Sequence, residues 1–69
     1  MEIIKHRDDY GTDVYFKDEW PLQYYVAVLD SGECQAIADG ESIGNFEHRS
    51  KAIDAVDEYI IDNPWDGAA

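Results

Sequence analysis

One cysteine, two prolines and five Lys plus Arg are all that 69 residues contain of these types. With Cys34 alone, no disulfide can close within the chain, which argues against a secreted domain stapled by bridges and for a cytoplasmic setting. Long apolar runs are missing too. Met1–Arg7 is too short in apolar residues to read as a signal peptide, and nothing approaches the ~20 consecutive apolar residues of a membrane span. There is no internal repeat, linker or low-complexity stretch, and Gly32, Gly40 and Gly44 are scattered turn glycines rather than a phosphate-binding loop.

The scarcity that matters most is positive charge. Sixteen Asp plus Glu stand against five Lys plus Arg, a formal net charge of -11. Self-repulsion at this density works against a compact state, so the acidity serves either solubility or a partner that wants negative charge. A chain of pI ≈ 4.1 is repelled by nucleic acid and by anionic membranes, so direct binding to either is not expected. Its electrostatic targets are basic protein surfaces or other cations.

What is present is enough to fold. Hydrophobic residues reach 45%, with two Trp, five Tyr and two Phe, too aromatic for an acidic disordered tail. At 7.9 kDa residues 1–69 make one small domain, near the lower limit for folding without a disulfide or metal. Residues 2–6 suit a short strand, 8–12 a turn with Gly11 at positive φ, and 13–17 a second strand rich in β-formers. Pro21 breaks the pattern and biases Trp20 away from helical angles.

Residues 24–29 give the strongest strand signal. Being apolar on both faces, with Tyr24, Val26 and Val28 on one and Tyr25, Ala27 and Leu29 on the other, this strand should be central. After the turn at Asp30–Glu33, residues 34–38 return as its partner, and a second turn at Asp39–Glu41 leads to a short extended piece at 42–46. Ser50 reads as an N-cap for a helix over 51–62, whose apolar stripe is Ala52, Ile53, Val56 and Ile60. Pro64 ends the helix, Trp65 is placed to fold back on the core, and residues 65–69 form a tail expected to fray. The expected fold is α+β: an antiparallel meander sheet of four or five strands with one C-terminal helix packed on one face.

Four carboxylates dominate that helix. Asp54, Asp57, Glu58 and Asp62 are read as one acidic face opposite Ile53, Val56 and Ile60. Asp54 with Glu58, and Glu58 with Asp62, are like charges four apart, costing roughly 0.2–0.5 kcal/mol each, and acids in the last turns also oppose the helix dipole. Local rules broken without local gain are where functional demands are met. Such a stripe presents carboxylates ~5–6 Å apart to Lys and Arg of a partner, similar to phosphates along a nucleic-acid strand. The alternative is a solvated face kept for solubility. Asp8, Asp9, Asp13, Asp18 and Glu19 add charge around the first hairpin, and Asp30, Glu33, Asp39 and Glu41 decorate the later turns.

Other chemistry finds little footing. Residues 8–19 have an acid at each end, like a calcium loop, but Tyr10 and Thr12 are poor ligands and Asp13 occupies the position that needs Gly. Cys34, His6 and His48 lack zinc spacing, so neither metal nor cofactor is expected. Cys34 reads as a small packing residue rather than a nucleophile paired with His48. With no pocket to tune a carboxylate pair, an enzyme is not expected. Tyr10, Tyr15, Phe16, Trp20, Tyr24 and Tyr25 exceed what one small core face hides, leaving a surplus, particularly Trp20, Tyr24 or Tyr25, as candidate interface anchors.

In size, charge and layout, a tiny acidic strand-rich chain carrying Asp54-x-x-Asp57-Glu58-x-x-x-Asp62 resembles the small acidic inhibitors of phages and mobile elements, including anti-CRISPR proteins and other DNA mimics. The resemblance spans the whole chain loosely and carries no specific motif. It implies a viral protein acting in the host cytoplasm, a stoichiometric inhibitor that occupies the basic nucleic-acid-binding surface of a nuclease or CRISPR surveillance complex. The acidic helix and the hairpin turns would form its interface. The alternative is a small cytosolic adaptor or regulatory domain whose acidity serves solubility, and a homodimer stays open in either case.

Overall fold

A computed structural model, describing residues 4–21 and 23–63, contains five strands and one helix: β1 (Ile4–Asp9), β2 (Thr12–Lys17), β3 (Tyr25–Val28), β4 (Cys34–Ala38), β5 (Glu41–Phe46) and α1 (Arg49–Asp62). Each strand pairs antiparallel with the next, in the spatial order β1-β2-β3-β4-β5. This is the α+β meander with a C-terminal helix on one face. The helix packs mainly on β3, β4 and β5, with β1 at the far edge of the sheet.

The residues on the covered face explain why the helix docks there. Cys34, Ala36 and Ala38 are small and buried on β4, and they share a core with Ala52, Ile53 and Val56 of α1. Short side chains on both elements let the helix approach the sheet closely while Val26 and Val56 fill the space between. Tyr15 and Ala36 lie in one cross-strand row with Val26 between them. By alternation, Val14, Ala27 and Ile37 fall on the opposite face and are buried as well. As expected of a central strand, β3 has buried residues on both faces, Val26 and Ala27.

Two tight turns set the register. Tyr10 (φ 55) and Gly11 (φ 88) connect the Asp9–Thr12 pair, and Asp39 (φ 56) and Gly40 (φ 79) connect Ala38 to Glu41. Both have the two left-handed residues of a type I′ turn. Asp39-Gly40 is a favoured dipeptide for it, whereas Tyr10 takes a conformation that disfavours a side chain with a Cβ. Asp8 Oδ1 accepts the Gly11 N–H at 2.9 Å and holds the first turn closed. On β5, Ala36 pairs with Gly44 and Ile37 with Ser42, so Ile43 is the extra residue of a bulge.

The expected boundaries shift in three places. The two-residue loop at Tyr10-Gly11 lets pairing continue through Asp8 and Asp9, which belong to β1 and not to a longer turn. Tyr24 and Leu29 leave β3 at its ends: the Tyr24 N–H bonds to the Pro21 carbonyl at 3.0 Å, and the Leu29 N–H to the Glu33 carbonyl at 2.8 Å. The N-cap is His48, in extended conformation and without a side-chain cap bond, so Ser50 sits inside the first turn and caps nothing. At the other end Asn63 closes the helix, its N–H and its side-chain amide both donating to the Tyr59 carbonyl, at 2.8 and 3.2 Å. The readings placed on Glu2, Ile3, Pro64, Trp65 and the tail lie outside the described residues.

Tyr10→Asn puts a residue suited to the left-handed region into the first turn, and should stabilise the domain by about 0.5–1 kcal/mol. Urea unfolding followed by circular dichroism checks this, an unchanged or lower midpoint being the contrary result.

Candidate interaction surface

Asp57 decides how α1 is oriented. It follows Ile53 by four residues and precedes Ile60 by three, so it lies on the apolar stripe and not opposite it. Lys17 at the end of β2 is only 4% exposed, and its Nζ lies 2.6 Å from Asp57 Oδ2. Trp20 Nε1 donates to Asp57 Oδ1 at 2.9 Å, and the Lys17 ammonium stands 5.8 Å from the centroid of the Trp20 ring. A turn in which the Trp20 N–H bonds to the Lys17 carbonyl at 3.0 Å brings the indole back over its own strand to make this possible. The four-acid face is therefore corrected: Asp57 turns inward, and Asp54, Glu58 and Asp62 remain exposed on the outer face.

Two of the aromatic candidates also move inward. Trp20 and Tyr24 are 7% and 6% exposed and belong to the core, which removes them as surface anchors. Tyr24 packs against Tyr59 with ring centroids 6.1 Å apart. Burial, then the nearby negative charge of Asp39, then Tyr59 raise the Tyr24 phenol above its ordinary pKa, so it stays protonated through the neutral range. Among the described residues, the large apolar ones that do stand exposed are Tyr10, at the tip of the first hairpin, and Ile61, at the end of the helix. Ile61 was not singled out from sequence; Tyr10 was counted among the surplus aromatics without being chosen as an anchor, though its place beside Gly11 in a turn flanked by acids was a signal.

Positive charge is unevenly used. Lys5 pairs with Asp18 at 3.0 Å, Arg7 with Asp9 at 2.9 Å, His6 with Asp13 at 2.8 Å and Lys17 with Asp57. The Arg7 guanidinium also lies 5.4 Å from the Phe16 ring centroid, and that of Arg49 lies 4.4 Å from Tyr15. Every one of these ion pairs draws its cation from β1 or β2. Among the described residues, Asp30, Asp39, Glu41, Asp54, Glu58 and Asp62 have no ionic partner, while Glu33 accepts from the Ser31 hydroxyl at 3.4 Å.

The fold groups some of these acids and separates others. Asp54, Glu58 and Asp62 form a row along α1, each step four residues or about 6 Å along the axis. Successive turns of a meander alternate between the ends of the sheet, so Asp30 and Glu33 sit at one end and Asp39 and Glu41 at the other. A strand's length, about 17 Å for five residues, separates the two pairs. They do not make one patch.

No metal-ligating group of His, Cys, Asp and Glu is assembled among the described residues. Cys34 is buried under the helix while His48 is exposed at its start, and His6 is held by Asp13. No helix among the described residues is long and apolar enough to cross a membrane. Compared with known protein families, curated proteins and solved structures, the chain finds no match in any of the three.

Asp57→Ala takes a carboxylate away from the buried Lys17 and the acceptor away from the indole. It should cost about 3 kcal/mol, the lower end for breaking a buried pair because the Asp57 side chain keeps 35% of its surface in water. Glu58→Ala, one position on, should change stability by about 0.5 kcal/mol or less. Urea midpoints of the two variants compare them directly, and equal losses would overturn this division of roles.

Proposed function

We propose that this protein is a non-enzymatic inhibitor that docks its acidic helix on the basic nucleic-acid-binding surface of a partner, most specifically a nuclease or CRISPR surveillance complex. The observation that carries the reading is the row Asp54, Glu58 and Asp62: exposed, without ionic partners among the described residues, and followed by no basic residue in the last turn of the helix. Each i,i+4 repulsion and the unfavourable helix dipole are relieved when Lys and Arg of a partner approach. Attraction of this kind accelerates encounter and weakens with salt. DNA would compete for the same basic groups.

A second reading has one observation in its favour. Tyr10 is fully exposed at the tip of the first hairpin, as an adaptor's anchoring residue would be. Under that reading the helix row serves solubility and can be reversed without loss of binding.

The combined variant Asp54→Lys, Glu58→Lys and Asp62→Lys separates the two, because all three side chains are exposed and the fold should survive their reversal. The native protein, immobilised in lysate at low salt, should retain a nucleic-acid-binding protein that added duplex DNA displaces, and the variant should retain at least about tenfold less. Equal retention by both, or retention that DNA does not disturb, would overturn the proposal.

A further inference from the structure

An open depression of about 380 Å³ lies between the β2–β3 connection and the C-terminal half of α1, lined by Glu19, Trp20, Asp57, Ile60 and Ile61. Its chemistry is one-sided. The Trp20 indole N–H is already donated to Asp57, so among the described residues the side chains of the lining offer hydrogen-bond acceptors and apolar surface, and no free donor. Glu19 is exposed and without a partner among the described residues, and each Asp57 oxygen, though bonded once, keeps a further lone pair. Along one side stands Ile61, 74% exposed on a helix whose neighbouring positions are carboxylates. Nothing in the packing of the core requires a large aliphatic residue there.

We infer that this depression is a socket for a single arginine side chain of the basic partner, an inference that rests on the inhibitor reading above. Ile60 and Ile61 would cover the methylene stem, and the carboxylates of Glu19 and Asp57 would receive the head. Charge complementarity selects the occupant: an acceptor-only rim repels an acidic or phosphorylated segment and leaves the donors of a cation satisfied. Arginine fits better than lysine because its planar fork of five donors reaches two carboxylates at once, whereas an ammonium is a point charge. The buried Lys17 neutralises much of Asp57, so Glu19 carries most of the ionic attraction. The socket adds a directional contact at the helix end to the row Asp54, Glu58 and Asp62, and so gives that row a register on its target.

The experiment is a ¹⁵N NMR titration of the full chain at low salt with the peptide acetyl-Gly-Arg-Gly-amide, and in parallel with its lysine and citrulline counterparts. The arginine peptide should give saturable shifts at the Trp20 indole N–H and the Ile61 amide. Lysine should bind more weakly, and citrulline, which keeps the shape without the charge, weaker still. Glu19→Gln should weaken arginine binding about threefold, as removal of a partly exposed ion pair does, and Ile61→Ala should weaken it with no loss of fold. Equal shifts from citrulline, or shifts confined to Asp54, Glu58 and Asp62, would overturn the socket.

A nona-arginine peptide keeps this distinct from the broader proposal. Salt-sensitive binding along the helix row with an unmoved Trp20 indole removes the socket and leaves the inhibitor reading standing. Saturation of the socket by the tripeptide, joined to failure of the DNA-competed capture, supports the socket and removes the inhibitor reading.

Discussion

The junction of Lys17, Asp57 and Trp20 is the interaction on which the arrangement of the molecule depends. Taking an ammonium almost wholly out of water costs several kcal/mol, and a carboxylate at 2.6 Å whose other oxygen is held by an indole N–H offsets part of that cost. The backbone of α1 lies mainly over β3, β4 and β5, and this polar junction ties β2 and the connection after it to the helix, beside the Arg49–Tyr15 contact and the packing of Trp20 into the core. It also fixes rotation about the helix axis. With Asp57 turned toward Lys17, Asp54, Glu58 and Asp62 can only face outward.

From that rotation follows the distribution of charge. Lys5, His6, Arg7 and Lys17 are engaged with acids near them, and most of the negative charge of the helix and later turns is left uncompensated. Neighbours about 6 Å apart on the row lie within the ~8 Å screening length of physiological salt, so their repulsion persists in the cell. A solubility requirement could be met by the same charges dispersed over the surface. Their alignment along one exposed helical edge is what makes a basic partner the better explanation, and the socket beside Ile61 supplies a contact with geometry as well as sign.

Much of the fold was legible because its elements are written in strong local signals. Residues 34–38 are short and mostly apolar and are followed by Asp39-Gly40, and the strand before them is apolar on both faces, as a central strand must be. Where the reading went astray, a tertiary demand had overridden a local one. Ser50 has the chemistry of a cap, but the chain enters the helix at His48. Tyr10 accepts a left-handed conformation that its side chain disfavours, which hid the true length of β1.

The site was legible in part. Exposure of Asp54, Glu58 and Asp62 follows from helical periodicity, and Asp57 was grouped with them by sign when its spacing from Ile53 and Ile60 placed it on the buried stripe. No periodicity announces that a loop containing Pro21 folds back to bury Trp20 and Tyr24, because that depends on a lysine and an aspartate 40 residues apart finding each other.

The most direct measurement is a double-mutant cycle on Lys17→Met and Asp57→Leu, with stability read from urea unfolding. If the junction holds the helix in place, each single change is far more costly than the pair predicts, with a coupling of about 2 kcal/mol or more. Additivity within about 0.5 kcal/mol would show that the two side chains act independently and that something else orients the helix.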